Sequence, residues 1–205
     1  MWSYLVFGFT YAFAAVVQPG PLQACLMSET LTRGWRRTLP AEFAPMLSDL
    51  PIIVVVLFGL SRVPADMVRF LHLAGAAFLF FLSWRAFVAW RRYDAGGGQN
   101  SAGGPRPLFK AMFVNLLNPH PWLGWSLVMG PLFIKGYRDN PAHGIALIAS
   151  FYGTMTIGLF GFIMVFAFAR RLGPRISRIM LGLSVLGLSL FGLYQLWLGM
   201  NIHNS

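Results

Sequence analysis

Long apolar runs alternate with short polar connections along the whole chain. Six of the runs reach the roughly 20 residues that an α-helix needs to cross the hydrocarbon core of a bilayer. They extend over about Tyr4 to Met27, Leu39 to Leu60, Val68 to Trp90, Leu108 to Ile134, Gly144 to Ala169 and Ile179 to Met200. The longest connection, Arg91 to Pro107, reads RRYDAGGGQNSAGGPRP, a composition that predicts flexible coil. It divides the chain into residues 1–90, a linker over 91–107 and residues 108–205, with three spans on either side. Ala12-Phe13-Ala14 has the look of a leader cleavage site, but no basic residue precedes the first apolar run. This segment is therefore expected to remain as a permanent span.

Composition agrees with a membrane protein. The 205 residues are 57% hydrophobic and only 11% charged, against about 25% charged in soluble domains. A soluble enzyme and a disordered chain are excluded on that ground. The single cysteine, Cys25, excludes an intramolecular disulfide and CxxC redox chemistry. The net charge of +10 is no nucleic-acid signature, because the basic residues sit between the apolar runs, where topology signals belong. Eleven of them fall on one side: Arg33, Arg36, Arg37, Arg91, Arg92, Arg106, Lys110, Arg170, Arg171, Arg175 and Arg178. Four fall on the other, Arg62, Arg69, Lys135 and Arg138, and Arg85 is expected to snorkel from span 3 to the basic side. The positive-inside rule makes the side with eleven cytoplasmic and turns both termini outward, in the cell (inner or plasma) membrane.

Two apolar runs carry the same interruption. Gln18-Pro19-Gly20-Pro21 lies in span 1 and Asn118-Pro119-His120-Pro121 in span 4, one hundred positions later. Each reads amide residue, Pro, any residue, Pro. A proline inside a helix removes a donor and clashes with the carbonyl four residues back, at about 3 kcal/mol. Freed carbonyls have no water to turn to in hydrocarbon, so such breaks survive only where protein or a wet cavity satisfies them. With three spans per half, the second half must insert upside down. The expected fold is thus an all-α integral membrane protein of six transmembrane helices, two inverted three-helix repeats with spans 1 and 4 broken at the Pro motifs. The half-helix starts at Gly20 to Gln23 and His120 to Leu123 would offer N–H groups to an anion. Gln18 and Asn118 add amides at the same depth.

Acidic residues are scarce: Glu29, Glu42, Asp49, Asp66, Asp94 and Asp139. Four lie near loops. Glu42 and Asp49 fall in span 2, seven residues apart, hence on one face of a continuous helix. A carboxylate at the bilayer centre costs roughly 2.5–3.5 kcal/mol on insertion scales and so marks an ion, proton or substrate path. Asp49 is the deeper. Glu42 is either a second path residue or an interfacial partner of Arg36 or Arg37. Tyr152, Thr154 and Thr156 in span 5 either line the same cavity or bond helix to helix. Gly182, Gly187 and Gly192 suit close helix packing. His72 reads as interfacial, and His120 as either cavity lining or a proton carrier. No spacing of His or Cys calls for a metal site, and no cofactor is implied.

Three stretches carry a resemblance: QPGPLQACL from Gln18, LSDLPIIV from Leu47 and NLLNPHPWL from Asn115. In their order and spacing the chain resembles the LysE/RhtB superfamily of amino-acid exporters. The resemblance implies export of amino acids or related small zwitterions, with protons as the counter-ion, and leaves room for a homo-oligomer. The candidate substrate and ion site is Gln18, Pro19, Gly20, Pro21, Glu42, Asp49, Asn115, Asn118, Pro119 and His120. A divalent-cation exporter is the competing reading, with Asp49, Glu42, Gln18 and Asn118 as oxygen ligands. An intramembrane enzyme would need a nucleophile and base at depth; Ser48 beside Asp49 is the nearest pair, and adjacent residues point to different faces.

Overall fold

The structure, a computed structural model, describes residues 1–59, 65–91, 106–171 and 173–201. Most of the linker over 91–107 lies outside the described residues. Among the described residues, every regular element is helical. The first run forms α1 (Trp2–Val17) and α2 (Pro21–Arg33), apolar enough to cross a membrane as a pair and bent by 60° at the break. Gly34, at φ 83, then turns the chain into a composite second run. This run consists of α3 (Trp35–Thr38), a 3-10 segment (Leu39–Phe43), α4 (Ala44–Val54) and a π-helical segment (Val55–Gly59). Three long helices match the third, fifth and sixth runs: α5 (Ala65–Arg91), α9 (Pro141–Arg171) and α10 (Pro174–Asn201). Among the described residues, four helices are thus long and apolar enough to span, or five with the bent pair taken as one.

The fourth run departs from the single broken helix expected of it. It consists of α6 (Pro107–Leu116), α7 (Pro119–Gly124), a π-helical segment (Trp125–Met129) and α8 (Gly130–Asp139). The cause is its proline content. Besides Pro119 and Pro121, Pro131 opens α8, and the Gly130 N–H just before it reaches back to Trp125 O, the wider π register.

Packing pairs the elements crosswise. α1 lies along α9, α6 along α4, and α5 along α10, which also packs on α2. The α1–α9 crossing is a backbone contact. A Cβ at Gly8 would stand 2.6 Å from the Leu147 carbonyl oxygen, and Ser150 Oγ donates to Leu5 O at 2.7 Å. Between α5 and α10, Gly192 seats the Phe80 ring and Gly182 the Trp90 indole, as close packing requires, and Ser83 bonds Ser189 at 2.7 Å.

Polarity is arranged inside out. Phe9, Phe13, Leu50, Val54, Phe70, Trp84, Ile157, Val165, Leu186 and Leu190 are exposed, whereas Glu29, Asp49, His72, Lys110, Asn115 and Gln195 are buried. In water such an apolar surface would aggregate. In lipid it costs nothing, and polar groups turn inward to find partners.

Candidate functional site

Both breaks fall where the prolines put them, and local chemistry repairs each. In an unbroken helix the carbonyls of Ala15 and Val17 would bond to the N–H groups of residues 19 and 21, which are prolines. Gln23 reaches back across the first break and donates its side-chain amide to Ala15 O at 2.9 Å and Val16 O at 3.1 Å. At the second break, Pro119 and Pro121 orphan the carbonyls of Asn115 and Leu117 in the same way. The Asn118 backbone N–H donates to Asn115 O at 3.2 Å, and the Trp122 indole to Leu116 O at 2.8 Å. Leu117 O faces Gly75 of α5, close beside the amide of Gln195.

The two broken segments line one cavity of about 510 Å³, well within the size of small-molecule sites. Gln18, Pro19, Gly20 and Pro21 contribute from one side, and Asn115, Asn118, Pro119, His120 and Pro121 from the other. Asp49 lines it too, 3% exposed.

Three separate elements aim donors at the Asp49 carboxylate. Asn115 Nδ2 of α6 donates to Oδ1 at 2.9 Å, and also to Ser48 Oγ at 2.8 Å. Trp125 Nε1 of the π segment and Tyr152 OH of α9 donate to Oδ2 at 3.2 and 3.0 Å. A carboxylate has about four lone-pair directions, two per oxygen. Oδ2 is filled and Oδ1 keeps one, which leaves room for a single proton or a single N–H of an ammonium group.

Several expectations need correcting. Glu42 does not line the cavity. It belongs to the 3-10 segment that precedes α4, so the seven-residue spacing to Asp49 no longer means a common face. Nor does it pair with Arg36 or Arg37; the ion pairs among the described residues belong to Glu29. The α7 start offers no anion cradle: Pro119 and Pro121 lack an N–H, and the His120 N–H is taken by its own N-cap, Asn118 Oδ1, at 3.1 Å. The α2 start keeps its donors, because the Leu22 and Gln23 N–H groups have no helical acceptor by position. Of the span 5 polar residues, Tyr152 reaches the site, while Thr154 and Thr156 are not among its lining or partners. His72, expected at the interface, is buried and lines the cavity. Ser48 Oγ donates its own proton to Ala44 O at 2.7 Å, a structural bond rather than an activated nucleophile.

Residues 13–198 match the protein-family model of the LysE type translocator. The chain belongs to the LysE type translocator family. The matched region contains every cavity residue named above. No curated protein and no solved structure matches the chain. As a LysE type translocator it is a membrane exporter, in keeping with its apolar helices and its resemblance to the LysE/RhtB superfamily.

Sequence reasoning missed two sets of buried polar contacts in this translocator. Trp125 bonds Asp49, and Trp122 and Gln23 close the breaks. An indole on an apolar run carries no periodic signal of its own. The second set is Glu29 with Lys110, both assigned to loops by their nearness to the run ends and both buried here.

Proposed function

We propose that this translocator exports amino acids or related small zwitterions in exchange for protons, using the cavity between the two breaks. The observation that carries the proposal is the Asp49 carboxylate, buried in that cavity with one open lone-pair direction. A substrate ammonium and a proton compete for the same position, so each excludes the other. Such exclusion couples the outward step of the substrate to the inward step of the proton. The substrate carboxylate is held by the Leu22 and Gln23 N–H groups at the positive end of α2, with the Gln18 amide beside them. The proposed architecture is six spans in two inverted repeats that rock about this site. The crosswise packing of α1 with α9 and α6 with α4 supports it, as does the hundred-residue spacing of the breaks. In this reading the basic loops face the cytoplasm, which a topology reporter fused at Ser205 checks by its activity outside.

The divalent-cation reading finds little support in the donor set. Glu42 stands outside the cavity, and three N–H and O–H donors converge on Asp49. Those donors present positive ends to the position a hard cation would need. The two readings separate in cells. A strain lacking the protein is expected to become sensitive to amino-acid analogues or dipeptides and to accumulate the substrate. Sensitivity to manganese or cadmium, with unchanged tolerance of the analogues, contradicts the proposal.

A further inference from the structure

The cavity occupies one end of the molecule. Its walls come from the C-terminal half of α1, the start of α5 at His72 and the end of α10 at Tyr194, Gln195 and Leu198. At the opposite end, the last turns of α2 meet the last turns of α5 and the start of α6. There Glu29 of α2 pairs with Lys110 of α6, and the Arg33 guanidinium stands 3.0 Å from the other Glu29 oxygen. Glu29 is 6% and Lys110 4% exposed. Arg85 and Cys25 line the same small pocket of about 50 Å³, and the Arg85 guanidinium lies 5.8 Å from the centre of the exposed Phe81 ring.

From this placement we propose that the Glu29–Lys110 ion pair is the gate that closes the cavity on the side of the basic loops. The inference rests on reading the cavity as a transport site. Three properties support it. The pair joins the two halves of the chain, which must part if they rock. It is nearly buried and lines a pocket that shares no residue with the cavity. Its energetics suit a gate, because the desolvation of a buried pair nearly offsets its attraction. When the halves separate, both charges regain water. Breaking the pair therefore costs little net free energy, and the closed and open states stay near balance. An apolar seal of equal area would bias the equilibrium far more strongly toward closure.

Cys25 reports on this gate without engineering, being the chain's one cysteine and 2% exposed beside the pair. The experiment measures the rate of Cys25 alkylation by N-ethylmaleimide in reconstituted full-length protein. Glu29→Gln and Lys110→Met are expected to speed it at least about tenfold over the native protein, since Glu29→Gln leaves Lys110 buried without its counter-charge and Lys110→Met removes the bond between the halves, leaving Glu29 to Arg33 of its own helix. Lys110→Arg keeps the pair and is expected to label at close to the native rate. Should the first two variants fail to fold, Glu29→Asp retains the charge but withdraws the carboxylate by one methylene, and an acceleration is expected there too. Unchanged labelling in folded Glu29→Gln and Lys110→Met overturns the gate, as does equal acceleration in Lys110→Arg. Labelling needs no knowledge of the solute. A failure of the gate is thus distinct from a failure of the exporter proposal, which flux alone decides.

Discussion

Gradient-driven export is lost in Asp49→Asn, while the protein stays folded and embedded. The expectation follows from the shape and charge of the substitution. Asparagine matches aspartate in size, so the packing of α4 against α6 is kept. Its carbonyl oxygen can take the Oδ2 place and keep the Trp125 and Tyr152 bonds, while the Asn115 amide can flip to accept from the new NH2. What disappears is the ability to hold either a proton or an ammonium. Losing one partner of a buried charge pair costs about 2–5 kcal/mol, which lowers affinity by well over tenfold. The coupling to protons disappears altogether. Efflux from preloaded cells, with and without a collapsed pH gradient, checks both effects. Undiminished, gradient-sensitive efflux in the variant removes Asp49 from the coupling role.

Gly8→Ala is expected to destabilise the whole assembly. A methyl at Gly8 would lie 2.6 Å from the Leu147 carbonyl oxygen, 3.1 Å from the Phe151 nitrogen and 3.1 Å from Ser150 Cβ. Two of these three are backbone atoms and cannot swing away. The methyl therefore forces α1 off α9 along the whole crossing, where Gly158 also seats the Val16 side chain. Overpacking of this kind costs about 1–3 kcal/mol and sometimes more, and close approach of small residues is what holds membrane helices together. The measurement is the apparent melting temperature in detergent, which should fall by roughly 5 °C or more. Gly153→Ala, at a position where a Cβ meets nothing within 4 Å, is the control and should leave it unchanged. Equal melting temperatures for the two variants would mean that α1 and α9 do not cross as described.

What could be read from the residues followed their physics. The long apolar helices were visible because lipid demands a run of fixed length, and α5, α9 and α10 begin and end within a few residues of the runs. The breaks were visible because proline acts through its own missing N–H, whatever surrounds it. Asp49 stood out because a lone acid deep in an apolar run has few bland explanations. The rest depends on tertiary contact. Nothing in the sequence near Trp125 says that its indole meets a carboxylate 76 positions away. The Glu42 expectation failed because a 3-10 turn changed the angular register, and a seven-residue spacing means a shared face only on one continuous α-helix. Glu29 and Lys110 each lie near a run end and so read as loop residues, yet the two ends meet and bury both charges together.

The central claim is that two proline breaks shape a chamber in which Asp49 exchanges an amino acid for a proton. Flux from proteoliposomes loaded with an amino-acid mixture tests it most directly, with the outside made acidic so that protons run inward. The account predicts that at least one amino acid leaves faster under the gradient than without it, and that Asp49→Asn vesicles do not respond. Efflux no greater than from protein-free vesicles, with and without the gradient, for every amino acid tested would contradict it.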